Sequence, residues 1–206
     1  MHQVPVADWL SSLADRTPTP GGGAAAALSA ATSAALIGMV TSYTAGGKWA
    51  DREARMREIN AEAAGLRTDA LRLADADAEA FGLVGSAYGM PKETPEQRAE
   101  RSAAIQRALI AAAEPPARVA ELAARLVELA GELVDAGNPN VISDVAVAAS
   151  SARAALDAAV VNIVINRGQI RDEAVTARLD GSVSKARRAA DAAGTVFDRV
   201  VEKLSR

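Results

Sequence analysis

The sequence predicts an all-α fold: a single-domain bundle of about six helices, two of them alanine-rich and largely buried. Half of the 206 residues are hydrophobic, yet aromatics make up only 3%. Alanine supplies most of the remainder, which favours closely approaching helices over strands rich in Val, Ile and Tyr. Apolar positions recur with helical spacing between glycine and proline breaks. The length suits one domain spanning residues 1–206 with a substantial core, and no repeat or linker divides it.

The elements follow in order. A short helix is expected from about Val6 to Asp15. Pro18, Pro20 and Gly21 to Gly23 then form a turn, which opens a buried helix from Ala24 to about Thr44 that stops at Gly46-Gly47. A long helix runs from Asp51 to about Gly85, and Tyr88-Gly89-Met90-Pro91 breaks it. Thr94-Pro95-Glu96-Gln97 has the pattern of a capping box: a hydroxyl cap, proline at the first helical position and glutamine at the third. Glu114-Pro115-Pro116 is expected to kink or divide the next segment, which ends at Gly137-Asn138-Pro139. A second buried helix starts near Ser143 and continues to about Asn166, with only Asp144, Arg153 and Asp157 as charges. The last helix is amphipathic, running from about Arg171 to Leu204 with a bend expected near Gly181.

Composition narrows the function. A formal net charge of -3, with no basic stripe interleaved with aromatics, argues against nucleic acid as a partner. With no cysteine and a single histidine, His2, the chain has no means for a zinc site, a thiol nucleophile or a histidine triad. No metal is therefore expected, and chemistry falls to carboxylates, amides, hydroxyls and lysines. The N-terminal MHQVPVADW lacks a secretory pattern, so a cytoplasmic location is expected. Residues 17–47 carry no charge and are long enough to cross a bilayer. Their Ala, Gly, Ser and Thr content instead suits a helix packed among others, and no membrane association is expected.

Asp77 interrupts an otherwise apolar face formed by Leu66, Ala70, Leu73, Ala80 and Val84, with Phe81 alongside. Burying an ionised carboxylate costs several kcal/mol or more without a partner. Either an internal Arg or Lys offsets it, or a cationic ligand or catalytic task does. Asn162 and Asn166, one turn apart with Ser151 and Ala155 on the same face, need partners too: a helix–helix or subunit hydrogen bond, or a heterocyclic ligand. Asn138, Asn140, Ser143 and Asp144 read as a turn with a helix N-cap, and a carboxylate there could also accept two hydrogen bonds from an aminopyrimidine edge. Lys48 and Lys92, beside helix breaks, are either solvated or placed to meet an anionic tail. Gly21, Gly22 and Gly23 allow close backbone approach at a helix N-terminus, where an anion or carbonyl is favoured.

Taken in order and spacing, TPTPGGGAAAAL, TAGGK, DADAEAF, MPKETPEQR, GNPNVISD and NIVINRGQIRDE resemble the cyclodeaminase/cyclohydrolase family over essentially the whole chain. That family includes the C-terminal domain of formiminotransferase-cyclodeaminase and free-standing bacterial methenyltetrahydrofolate cyclohydrolases. The resemblance implies an all-helical homodimer acting on a tetrahydrofolate derivative as substrate, without a separate cofactor. It implies Asp77 as catalytic residue, and Gly21, Gly22, Gly23, Asn138, Asn140, Ser143, Asp144, Asn162 and Asn166 as pocket residues. The expected reaction is hydrolysis of 5,10-methenyltetrahydrofolate to 10-formyltetrahydrofolate. The alternatives are cyclodeamination of formiminotetrahydrofolate with release of ammonia, or a non-catalytic helical dimer. Three positions depart from the pattern: Ala24 where GGGS is familiar, Asp157, and Arg167 where an apolar residue is commoner.

Overall fold

A computed structural model describes residues 4–206, which excludes His2. Among the described residues there are six α-helices: α1 (Val6–Ala14), α2 (Gly22–Ser42), α3 (Glu53–Tyr88), α4 (Pro95–Ala136), α5 (Ile142–Arg167) and α6 (Glu173–Leu204). Two short 3-10 turns, Gly47–Trp49 and Pro139–Val141, lie between them. No strand occurs in this part of the chain.

The core is built on alanine. Ala24, Ala27, Ala30 and Ala34 of α2 and Ala148, Ala152, Ala155 and Ala159 of α5 are buried, so these two helices pack with little between them but methyl groups. Larger side chains fill the surrounding layer, including Ile37, Ile59, Leu126, Leu129, Leu133, Leu156 and Leu179. By length and composition α2 could cross a membrane, but 56% of its apolar window is buried inside the bundle.

Cross-helix bonds fix the directions. Asn60 Nδ2 of α3 donates to the Gly38 carbonyl of α2 at 2.9 Å, while Asp77 lies against Gly23 at the other end of α2. The two helices are therefore antiparallel, and α3 overhangs the start of α2. Phe81, expected beside the apolar stripe, is consequently 52% exposed. Arg125 of α4 pairs with Glu62 at 2.6 Å and Arg55 with Glu132 at 2.9 Å, tying α3 antiparallel to α4. Arg199 and Lys203 of α6 both reach Asp135, and Arg167 of α5 pairs with Asp180 at 2.6 Å.

Helix α4 opens on the expected cap. Thr94 Oγ1 accepts from the Gln97 N–H at 3.2 Å while Gln97 Oε1 accepts from the Thr94 N–H, also at 3.2 Å, satisfying two N-terminal donors reciprocally. The division expected at Pro115-Pro116 does not occur: α4 continues through both prolines for 42 residues. Proline cannot donate to the carbonyl four residues back, so Pro116 leaves the Ala112 oxygen without an intrahelical donor. Asn166 Nδ2 of α5 fills that vacancy at 3.0 Å. Helix α6 is continuous through Gly181.

Candidate active site

Helix α2 begins at Gly22 with Gly21 as N-cap, a residue with no side chain to accept from the free N–H groups of the first turn. The Asp77 carboxylate, arriving from the middle of α3, takes the Ala24 backbone N–H instead. Gly23 makes the approach possible. A Cβ on Gly23 would lie 2.5 Å from Asp77 Oδ2 and closer still to Oδ1, so any side chain there would expel the carboxylate.

Burial pushes the Asp77 carboxyl above its ordinary value, and the hydrogen bond from Ala24 opposes the rise. Among the described residues no Lys or Arg forms an ion pair with it. An internal salt bridge, one of the two explanations open at the sequence level, is thus replaced by a helix N-terminus. One backbone donor leaves much of the carboxylate's accepting capacity unused.

Asn162 flanks the same turn from α5. A Cβ on Gly22 would sit 3.7 Å from Asn162 Nδ2, and that amide nitrogen donates back to the Ala158 carbonyl at 2.8 Å. The amide oxygen of Asn162 lies at the edge of the site. Gly22, Gly23, Asp77 and Asn162 thus converge at the start of α2. Gly21 is adjacent, with open space where a Cβ would be. Asn166, one turn further along α5, is committed to the Ala112 carbonyl.

The turn motif lies elsewhere in this chain. Asn138 Nδ2 donates to the Tyr43 carbonyl at 2.9 Å, its backbone N–H to Thr44 Oγ1 at 2.9 Å, and its Oδ1 accepts from the Asn140 N–H at 3.0 Å. It therefore clamps the far end of α2, about 30 Å from Asp77 by helix length. Asn140 and Ser143 are exposed and Asp144 is partly buried at the start of α5. Val141, not Ser143, is the N-cap residue there, and it makes no side-chain cap. Lys48 is at that end too, stacked 4.8 Å from the Trp49 ring. Lys92 is exposed on the α3–α4 connection.

The departures from the motif pattern have local explanations. At position 24 it is the backbone N–H that meets Asp77, so a hydroxyl is not needed for that contact. Arg167 is paired with Asp180, and Asp157 faces Arg153 on the exposed side of α5 at 3.7 Å. A cleft of about 630 Å³ between α3 and α4 is lined by Leu66, Leu73, Arg118 and Leu122 among others, and Asp77 is not part of its lining. Among the described residues no three His, Cys, Asp or Glu side chains gather at metal-binding spacing.

The match that decides the family covers residues 5–185, which fit the description "Formiminotransferase-cyclodeaminase". The chain belongs to that family. Within it, the chain is 40% identical over 167 residues to a methenyltetrahydrofolate cyclohydrolase of Methylorubrum extorquens, covering 81% of this chain and 80% of that one. It is 33% identical to the formimidoyltransferase-cyclodeaminase of Rattus norvegicus over 77% of its own length, which is 29% of the longer rat protein. The crystal structure of a formiminotetrahydrofolate cyclodeaminase from Thermotoga maritima superposes with a TM-score of 0.88 at 27% identity, over 100% of this chain and 99% of the other. The six-helix architecture is thus that of the formiminotransferase-cyclodeaminase family.

Proposed function

We propose that this chain hydrolyses 5,10-methenyltetrahydrofolate to 10-formyltetrahydrofolate, with Asp77 as the acid and base. The observation that carries the reading is a partly buried carboxylate that, among the described residues, has no Lys or Arg paired with it. The substrate's amidinium supplies that cation, and its carbon is already electrophilic. Asp77 in its ionised form holds the cation and takes a proton from the attacking water as the carbon–oxygen bond forms. It returns that proton to the departing ring nitrogen as the carbon–nitrogen bond breaks, leaving the formyl group on the other nitrogen and one net proton in solvent. The Asn162 amide and the first turn of α2 orient the heterocycle. The reading calls on no cofactor beyond the folate substrate.

The extent and identity of the match to the Methylorubrum cyclohydrolase support hydrolysis. Deamination of formiminotetrahydrofolate is the second reading, supported by the fold shared with the Thermotoga cyclodeaminase; there Asp77 would assist ring closure and protonate leaving ammonia. Loss of methenyl absorbance, measured against ammonia release from the formimino compound, separates the two. Absence of both with the folded protein overturns the enzymatic reading altogether.

The active form in this reading is a cytoplasmic homodimer. Helix α5 leaves an apolar stripe uncovered by the rest of the chain, with Val161 67% and Ile165 64% exposed and Val147 in line with them. Such a stripe, next to Asn162, suits a second copy of the same helix better than water.

A further inference from the structure

The face of α3 that carries Asp77 continues past the end of α2. Asp77, Phe81, Val84 and Tyr88 follow at helical spacing on that one side, and Tyr88 is about three turns, or about 16 Å, beyond Asp77. Phe81 and Tyr88 are 52% and 45% exposed there. Beyond Tyr88 is a recess of about 240 Å³ that contains Arg101, Arg171, Ser102, Gln106 and Gln169, and no acidic residue.

Its two arginines are unlike most others in the chain. Arg55, Arg57, Arg125, Arg167, Arg178 and Arg199 are each paired with a carboxylate. Arg101 instead donates to the Tyr88 carbonyl at 3.0 Å and stacks 5.5 Å from the Tyr88 ring. Among the described residues the Arg171 side chain reaches only the Ser102 hydroxyl, at 3.3 Å. A guanidinium has five donors, so both retain several for a ligand. The recess is held in shape by neutral groups: Tyr88 Oη donates to Gln169 Oε1 at 2.6 Å, Gln106 Nε2 to the Gln169 carbonyl at 2.9 Å, and the Arg171 N–H to Gln106 Oε1 at 2.8 Å. Two unpaired forks on a rigid frame fit carboxylates.

We propose that Arg101 and Arg171 bind the glutamate carboxylates of the folate tail, with Phe81 packing on the aminobenzoyl ring between them and Asp77. The inference rests on the folate reading of Asp77 and adds to it a ruler along α3: anion at one end for the cationic ring system, aromatic surface in the middle, cations at the other end. An extended aminobenzoylglutamate has a length comparable to that track. The role envisaged for Lys48 passes to these arginines, whereas Lys92 is close to the recess in sequence.

The test uses the tail alone. p-Aminobenzoylglutamate titrated into the full chain, followed by NMR, should saturate and shift Tyr88 and Gln169 resonances, and p-aminobenzoate, lacking the glutamate, should not. Arg171→Gln should weaken fragment binding about tenfold, and Arg101→Gln/Arg171→Gln should abolish it. With methenyltetrahydrofolate the same variants should raise KM with kcat nearly unchanged, and Arg171→Lys should recover part of the loss. No saturable binding of the fragment by the wild type, or equal binding by the double variant of confirmed fold, overturns the proposal even when wild-type turnover upholds Asp77. Fragment binding without turnover upholds the recess and removes the reaction.

Discussion

Asn166 Nδ2 lies 3.0 Å from the Ala112 carbonyl, the acceptor that Pro116 deprives of its own helix donor. The amide therefore completes the hydrogen bonding of α4 from outside. Asn166→Leu should cost about 1–3 kcal/mol, the penalty of stranding a buried acceptor. In a Pro116→Ala background the restored N–H can serve Ala112, and the cost of Asn166→Leu should shrink. Urea denaturation of the four proteins gives the coupling; additive losses would show that the amide does not compensate the proline.

Gly23→Ala should displace the Asp77 carboxylate, since the new methyl would overlap its oxygens. Turnover should fall sharply while stability drops by about 1–3 kcal/mol, as for other overpacked sites. Gly21→Ala, where a Cβ meets nothing within 4 Å, should leave both nearly unchanged. Equal kinetics for the two variants would break the link between the glycine and the carboxylate.

Asp77→Asn keeps an oxygen for the Ala24 N–H but removes the charge. Turnover should fall about 10²- to 10⁴-fold, the range for a lost general acid–base, in a protein with an unchanged circular dichroism spectrum.

The same variant has a pH signature. Burial raises the Asp77 carboxyl in the folded state, so the folded chain binds this proton more tightly than the unfolded one. Stability due to this group is greatest below the unfolded value of about 3.9 and declines as pH rises through the folded value. Asp77→Asn should therefore exceed wild type in stability at neutral pH, and the gap should close in acid. Melting curves across that range would refute the claim if the gap widened toward low pH.

Ser33 Oγ is fully buried on α2 and has no hydrogen-bond partner among the described residues. Ser33→Ala removes an unsatisfied hydroxyl without leaving a large cavity, and should stabilise the fold by about 1 kcal/mol or more. A lower denaturation midpoint would mean that the hydroxyl is satisfied after all.

Val161→Glu places a charge on the uncovered stripe of α5. Light scattering should register a shift from dimer toward monomer, with helicity retained. An unchanged mass would rule that stripe out as the contact between copies.

Much of this architecture was legible because helices announce their ends locally. Gly46-Gly47, Thr94-Pro95 and Gly137 stop or start helices within about two residues of where the sequence puts them. Asp77 was legible as a carboxylate on an apolar face. Its partner was not, because a backbone N–H carries no sequence signature. That α4 passes undivided through Pro115-Pro116 was not legible for a related reason: the compensating amide is some fifty residues away in the chain. The turn motif holding Asn138 and Asp144 sits near the C-terminal end of α2, a separation that spacing in the chain cannot reveal. Arg101 and Arg171 passed unnoticed since they belong to different segments, and only the fold brings them to one recess, where among the described residues neither forms an ion pair.

The bond between Asp77 and the first turn of α2 has an evolutionary corollary. Architecture alone does not call for an acid there, because an amide can accept the same N–H without a buried charge. A descendant released from selection for turnover is free to exchange the aspartate for asparagine, so an acid kept at this position speaks for kept chemistry. Arg101 in the recess is the weaker marker of a working enzyme, because it also serves the Tyr88 carbonyl at the end of α3.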